Sequence, residues 1–259
     1  MRITFALPAP IRIPMGGAAV VYRYAGMLAA RGHEVTVVSP RRPQPGLRGV
    51  ALDWAVQVRD RIHGVGTDAY YSAPGVRSVV VPRLDGTTVP PGDVVIATGV
   101  QTARPVAALP PAAGAPVYFI QGDETFADPT ARETWHLPMR RLTCASWLAE
   151  AVHAAGESVE AVLPNAIDPA DFALDRPLGE RQSSVIALYH RHLVKGPDVL
   201  LRALEHIRSV RPDLPIRVFA ARPPSHRLPE RVEVHIRPAL ADLRDLYNDS
   251  AVLLHPSRS

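Results

Sequence analysis

The chain is 259 residues long, room for one large or two medium domains, with 47% hydrophobic and only 6% aromatic residues, the profile of a globular protein with aliphatic packing. Its 29 basic and 25 acidic side chains leave a formal net charge of +4, an excess that excludes a nucleic-acid surface and leaves open only weak attraction to anionic substrates or a peripheral contact with anionic lipid. Cys144 is its single cysteine, so neither an intrachain disulfide nor a thiolate metal cluster can form; a cytoplasmic setting fits, and the residue reads as a small buried apolar one.

No apolar run reaches the ~20 residues of a membrane span. Met1 to Leu7 lacks the basic leader and apolar core of a signal peptide. Ile3 to Leu7 instead predicts a buried strand, Pro8 to Pro14 a loop, and Val20, Val21, Tyr24, Met27 and Leu28 the apolar face of a helix that Gly32 ends. Glu34 to Val38 is the next strand. Strand, glycine loop, helix and strand in this order imply a parallel crossover. Gly16-Gly17 at the helix start would let a ligand approach the backbone closely; a tight turn needing glycine is the alternative. The pattern is not GxGxxG, and Ser39 stands where a dinucleotide site needs an acid, which disfavours NAD.

Further strands are expected at Val50 to Val56, Ser78 to Val81, Asp93 to Ala97, Pro116 to Ile120, Leu142 to Ala145 and Val159 to Leu163. Arg59 to Ala73 gives no clear element. Helices are expected at Gln101 to Leu109 and, capped by Ser146, at Trp147 to Ala155. Gln121, Asp123 and Glu124 follow the strand ending at Ile120. At the carboxyl end of a parallel strand they are candidates to bind sugar hydroxyls, and a solvated loop with a helix cap is the competing reading.

Pro164 to Phe172 breaks the alternation, and Leu174 to Gln182 is polar. This divides the chain into a domain over 1–164, a linker over 165–183 and a second domain over 184–259. The second holds strands at Val185 to Leu188, Ile216 to Ala220, Val232 to Ile236 and Val252 to His255, with helices after Gly196 and at Ala239 to Tyr247. It reads as incomplete for a doubly wound domain. Two Rossmann-like α/β domains, the second partial, are the expected fold.

Lys195 is the only lysine among the 29 basic residues. It follows a short apolar strand and the turn His190-Arg191-His192, and it precedes Gly196-Pro197-Asp198. Proline suits the first helical position and an acid the first turn. A strand, a positive turn and a helix start together make an anion pocket, with a diphosphate as the expected guest. A solvated charge at a helix start is the alternative. Asp198 would repel phosphate and is expected to turn inward and cap its own helix. His190 and His192 read as solvated rather than metal ligands.

These landmarks, in this order, resemble the retaining glycosyltransferases of the GT-B fold, family 4. Gly16-Gly17 with Leu28 to Val37 is similar to that family's glycine loop and RGHEVTV segment. Leu163 to Asp168 with Phe172 resembles its PNGVD…F, Lys195-Gly196 with Asp198, Leu200 and Leu201 its KGxDxLL, and Leu243 to Ser259 its LxxLYxxADVxxxPSxxEG. Tyr118 to Gln121 with Glu124 further resembles members that build bacterial surface polysaccharides. Two departures stand out. His190 replaces the glycine before Arg191. The chain stops at Ser259, ahead of the Glu-Gly and the paired glutamates of the family.

The resemblance implies sugar transfer from a nucleotide diphosphate sugar to a hydroxyl, with configuration retained and no metal or other cofactor. Lys195, Arg191, Gly196, Gly16 and Gly17 would hold the donor diphosphate. Gln121, Asp123 and Glu124 would hold a sugar, lipid-linked or small-molecule acceptor. Asn165, His255 and Ser257 would face an interdomain cleft. No catalytic residue is assigned. A non-catalytic fragment or degenerate subunit that binds an acceptor or partner is a second reading, and another GT-B enzyme, such as a sugar-nucleotide epimerase, a third. No G-x-S-x-G elbow supports a hydrolase.

Overall fold

The computed structural model describes residues 1–41 and 70–258. The strand expected at 50–56 and most of the unassigned stretch at 59–73 lie outside the described residues. The chain forms two compact units, Met1–Ala166 and Ile167–Ser259.

In the first unit β1 (Arg2–Ala6), β2 (Glu34–Pro40), β3 (Val76–Val81), β4 (Val94–Ala97), β5 (Ala115–Ile120), β6 (Arg140–Thr143) and β7 (Ala161–Val162) form one sheet. Their order is β3-β2-β1-β4-β5-β6-β7, and every pair is parallel. Alternate residues feed two cores, as the two-residue period of a strand requires. Ile3, Phe5, Val35, Val37, Ile96 and Phe119 meet Val21, Tyr22 and Ala25 of α1 (Gly16–Ala30). Ala6, Val38, Val95, Ala97, Tyr118 and Ile120 meet Ala103 and Val106 of α2 (Val100–Ala107), Leu148 and Val152 of α3 (Ser146–Ala154), and the fully buried Trp135. Ser146 is the first residue of α3 and not its cap. Ala145 occupies the cap position in extended backbone, and no side chain caps the helix.

The second unit has β8 (Gln182–Tyr189), β9 (Ile216–Ala220), β10 (Val232–Ile236) and β11 (Ser250–Leu254), with α4 (Pro197–Val210) and α5 (Leu240–Asp249). The sheet runs β10-β9-β8-β11, again all parallel. Val185, Ala187, Tyr189, Ile216, Val218 and Ala220 pack on Leu200 and Leu204 of α4. Tyr247 of α5 meets the rings of Phe219 and Phe172, each with centroids 5.9 Å away. From Ile167 onward the expected linker belongs to this unit. Asn248, buried on α5, accepts the N–H groups of Asp175 (3.0 Å) and Arg176 (3.3 Å) and donates to the carbonyl of Ala173 (2.9 Å). No helix among the described residues is long and apolar enough to cross a membrane.

Candidate functional site

In an open parallel sheet, ligands sit beyond the carboxyl ends of the strands where the strand order reverses. Each unit has one such point. In the first unit it falls between β1, whose chain continues outward to β2, and β4, whose chain continues to β5 on the other side. In the second it falls between β8 and β11.

At the first point α1 begins at Gly16 with Met15 as its cap residue and no side-chain cap. A Cβ at Gly16 would meet nothing within 4 Å, whereas one at Gly17 would lie 3.4 Å from Oε1 of Gln121. Gln121 donates Nε2 to the carbonyl of Thr98 at 3.4 Å, and its buried Oε1 has no hydrogen-bond partner among the described residues. Glu124 holds a left-handed backbone at φ 54 and accepts the N–H of Val100 at 2.6 Å, closing the start of α2 from another loop. Burial raises the Glu124 carboxyl above its usual range and outweighs the Val100 bond, which lowers it.

Gly16, Gly17, Gln121 and Glu124 are therefore brought together. Asp123 turns elsewhere. Both its oxygens accept from Arg132, at 3.0 and 2.7 Å, and those bonds hold its carboxyl below the usual range. The same guanidinium lies over Trp135, 5.4 Å from the ring centroid. Cys144 is partly buried, its Sγ 3.4 Å from the carbonyl of Gln121, and burial pushes its thiol up. Thr98, Gly99 and Val100 line the same corner and were not singled out from the sequence, although a Thr-Gly pair ending a strand is the kind of signal that marks such a turn.

At the second point the turn after β8 is built by its own side chains. Nδ1 of His190 accepts the N–H of His192 at 3.0 Å, and Nδ1 of His192 accepts that of Val194 at 3.3 Å. Burial, then the neighbouring His192 and Lys195, lower the affinity of His190 for a proton. Lys195 is exposed and makes no ion pair among the described residues. Gly196 has φ 62 and spends its own N–H on the carbonyl of Leu193 at 2.9 Å. A Cβ there would sit 2.1 Å from the carbonyl oxygen of Pro256. The segment after β11 thus lies directly on this turn. Arg258 N–H donates to the carbonyl of Val194 at 2.8 Å, and Ser257 Oγ lies 3.5 Å from the same oxygen. His255 is exposed beside it, and Asn165 is exposed near the end of the first unit.

One expectation is revised here. Asp198 does not cap α4. Its carboxylate pairs with Arg258 and, at 3.5 Å, with Arg202. Burial raises its carboxyl, but the Arg258 and Arg202 charges outweigh this and leave it below its usual range, spent on cations rather than facing a phosphate. Arg191 points both Nε (3.1 Å) and one terminal nitrogen (2.7 Å) at the carbonyl of Pro223.

A separate cavity of ≈ 340 Å³ lies in the second unit against Phe172, Leu174, Tyr247 and Arg244 and includes no residue of the Lys195 turn. Among the described residues no group of three His, Cys, Asp or Glu side chains is placed to hold a metal.

No protein-family model and no curated protein sequence matches the chain. Solved structures do. Sucrose-phosphate synthase from Thermosynechococcus elongatus matches with a TM-score of 0.62 and 13% identity over 99% of this chain and 75% of its own. WaaG, a glycosyltransferase involved in lipopolysaccharide biosynthesis, gives 0.54 and 18% over 99% and 75%. An alpha-glucosyltransferase in complex with UDP gives 0.54 and 10% over 98% and 72%. A Listeria monocytogenes structure described as a UDP-N-acetylglucosamine 2-epimerase also matches, at 0.52 and 11% over 98% and 73%. At these identities the likeness shows the fold, and the fold is of the GT-B type.

Proposed function

We propose that the protein is a retaining glycosyltransferase that moves a sugar from a nucleotide diphosphate sugar to a hydroxyl acceptor, in the synthesis of a surface polysaccharide or glycoconjugate. One observation carries this reading. In a fold shared with solved glycosyltransferases, one of them holding UDP, the chain's only lysine stands exposed on the turn at a strand-order reversal. That is where this fold class takes its ligands.

In the transfer, the bond from the anomeric carbon to the diphosphate oxygen breaks and the electron pair leaves with the diphosphate. The acceptor oxygen bonds to that carbon and passes its proton to the departing diphosphate oxygen. The protein's task is to stabilise the departing charge. Lys195 supplies a compact ammonium, and Gly196 gives the turn the shape that presents it. His255 and Ser257 border the same turn. On the acceptor side, the open Oε1 of Gln121 beside Gly17 suits a hydroxyl donor. Asp123, tied to Arg132, would act through the loop rather than on the sugar.

The experiment is a panel of UDP-, GDP- and TDP-sugars incubated with glycan and lipid-linked acceptors. Release of the nucleoside diphosphate with a new glycoside of retained anomeric configuration supports transfer. An epimerised nucleotide sugar formed without any acceptor would replace this reading with that of an epimerase, the activity named for one match. Binding without turnover would leave a non-catalytic role.

A further inference from the structure

We propose that Arg191 is a positioning residue that clamps the loop after β9, and that it does not act as a phosphate ligand. The inference rests on the reading above only for its consequence on donor binding. The clamp itself stands on the geometry of the second unit.

The loop runs from Ala221 to Leu228 and contains Pro223-Pro224, which have no N–H to donate. The loop is largely exposed, and side chains of other elements bond its backbone. Three side chains, each at the carboxyl end of a strand, supply the fixing contacts. From β8, Tyr189 accepts the N–H of Ser225 at 3.2 Å, and its hydroxyl lies 2.8 Å from Nδ1 of His226 and 3.1 Å from Oγ of Ser225. After β10, Arg237, in left-handed backbone at φ 50, donates Nε to the carbonyl of Ala221 at 3.0 Å. From the Lys195 turn, Arg191 closes the third side with both its bonds on Pro223.

Two donors converging on one oxygen need a rigid planar fork. A lysine ammonium cannot reproduce it, though it keeps the charge. The two cations of the turn thus divide the work. Arg191 ties the turn to its neighbouring loop, and Lys195 stays exposed for a ligand. The geometry predicts that changing the shape of residue 191 matters, whatever its charge.

The test compares the intact chain with Arg191→Lys, Arg191→Gln, Tyr189→Phe and Lys195→Ala. Hydrogen exchange of the amides from Ser225 to Leu228 is followed without ligand, and UDP binding is then titrated. Both Arg191 variants, and independently Tyr189→Phe, are expected to speed that exchange about threefold to tenfold. Lys195→Ala leaves it unchanged. Arg191→Lys and Arg191→Gln are expected to weaken UDP binding equally. Unchanged exchange in the Arg191 variants would overturn the clamp, and so would full retention of UDP affinity by Arg191→Lys alongside loss in Arg191→Gln. Should wild-type protein bind no UDP, the donor reading fails while the exchange comparison still decides the clamp.

Discussion

Gly196 makes the sharpest structural prediction. Alanine there must hold φ 62, which costs an L-residue about 1–2 kcal/mol. Its Cβ would also stand 2.1 Å from the Pro256 oxygen. Backbone must move to relieve that, and forced repacking of this kind costs about 1–3 kcal/mol. The two terms together predict a loss of about 2–5 kcal/mol in the second unit, hence exchange at protected β8 and α4 amides faster by at least about 30-fold. Gly32→Ala is the control, since Gly32 shares a left-handed backbone, φ 85, with nothing within 4 Å of a Cβ. It should cost about 1–2 kcal/mol, and only in the first unit. The units can be read apart because Trp54, Trp135 and Trp147 all precede residue 167, where the second unit begins, so tryptophan fluorescence reports the first and exchange in β8 and α4 the second. If Gly196→Ala sped that exchange less than about threefold, the contact between the Lys195 turn and the chain after β11 would not be the constraint described.

Three more outcomes follow from other contacts. Asn248→Ala should cost the second unit about 1–3 kcal/mol, because the N–H groups of Asp175 and Arg176 lose their acceptor; a midpoint unchanged in urea would refute this. Glu124 has a raised pKa, so its protonated form is the one the fold prefers, and its contribution to stability is greatest below the ordinary value of 4.5 and is lost as pH rises through the folded value. Glu124→Gln does not titrate there, so its stability relative to wild type should improve from acid to neutral pH, and a difference that is flat with pH in tryptophan-monitored denaturation would argue against the burial. Cys144, its thiol raised by burial, should react with iodoacetamide more slowly in the native chain than in denatured protein at equal pH.

Local signals carried the fold well. The β10 strand expected at Val232 to Ile236 matches its observed bounds, and the helix expected to be ended by Gly32 ends at Ala30 with Arg31 as its cap residue and Gly32 just beyond. Those elements announce themselves through periodicity and through glycine at a left-handed position. The candidate site was legible to the level of which turns lie at the strand-order reversals, and no further. Asp198 finds Arg258 60 residues away, and Asn248 binds the chain more than 70 residues before it. No spacing rule sees such partners. Arg191 reads as an anion ligand because its charge is visible in the sequence, while the Pro223 carbonyl that it bonds 32 residues later is not. Ser146 looked like a cap because serine preceded an apolar face, yet the extended residue that starts the helix is Ala145.

The measurement closest to the central claim is calorimetric titration of UDP into the wild-type chain and Lys195→Ala, both checked for native exchange in β8 and α4. An exposed ammonium that bonds a diphosphate contributes about 1.5–3 kcal/mol, so the variant should bind about tenfold to a hundredfold more weakly. Equal affinities in the two proteins would contradict a donor site at residue 195.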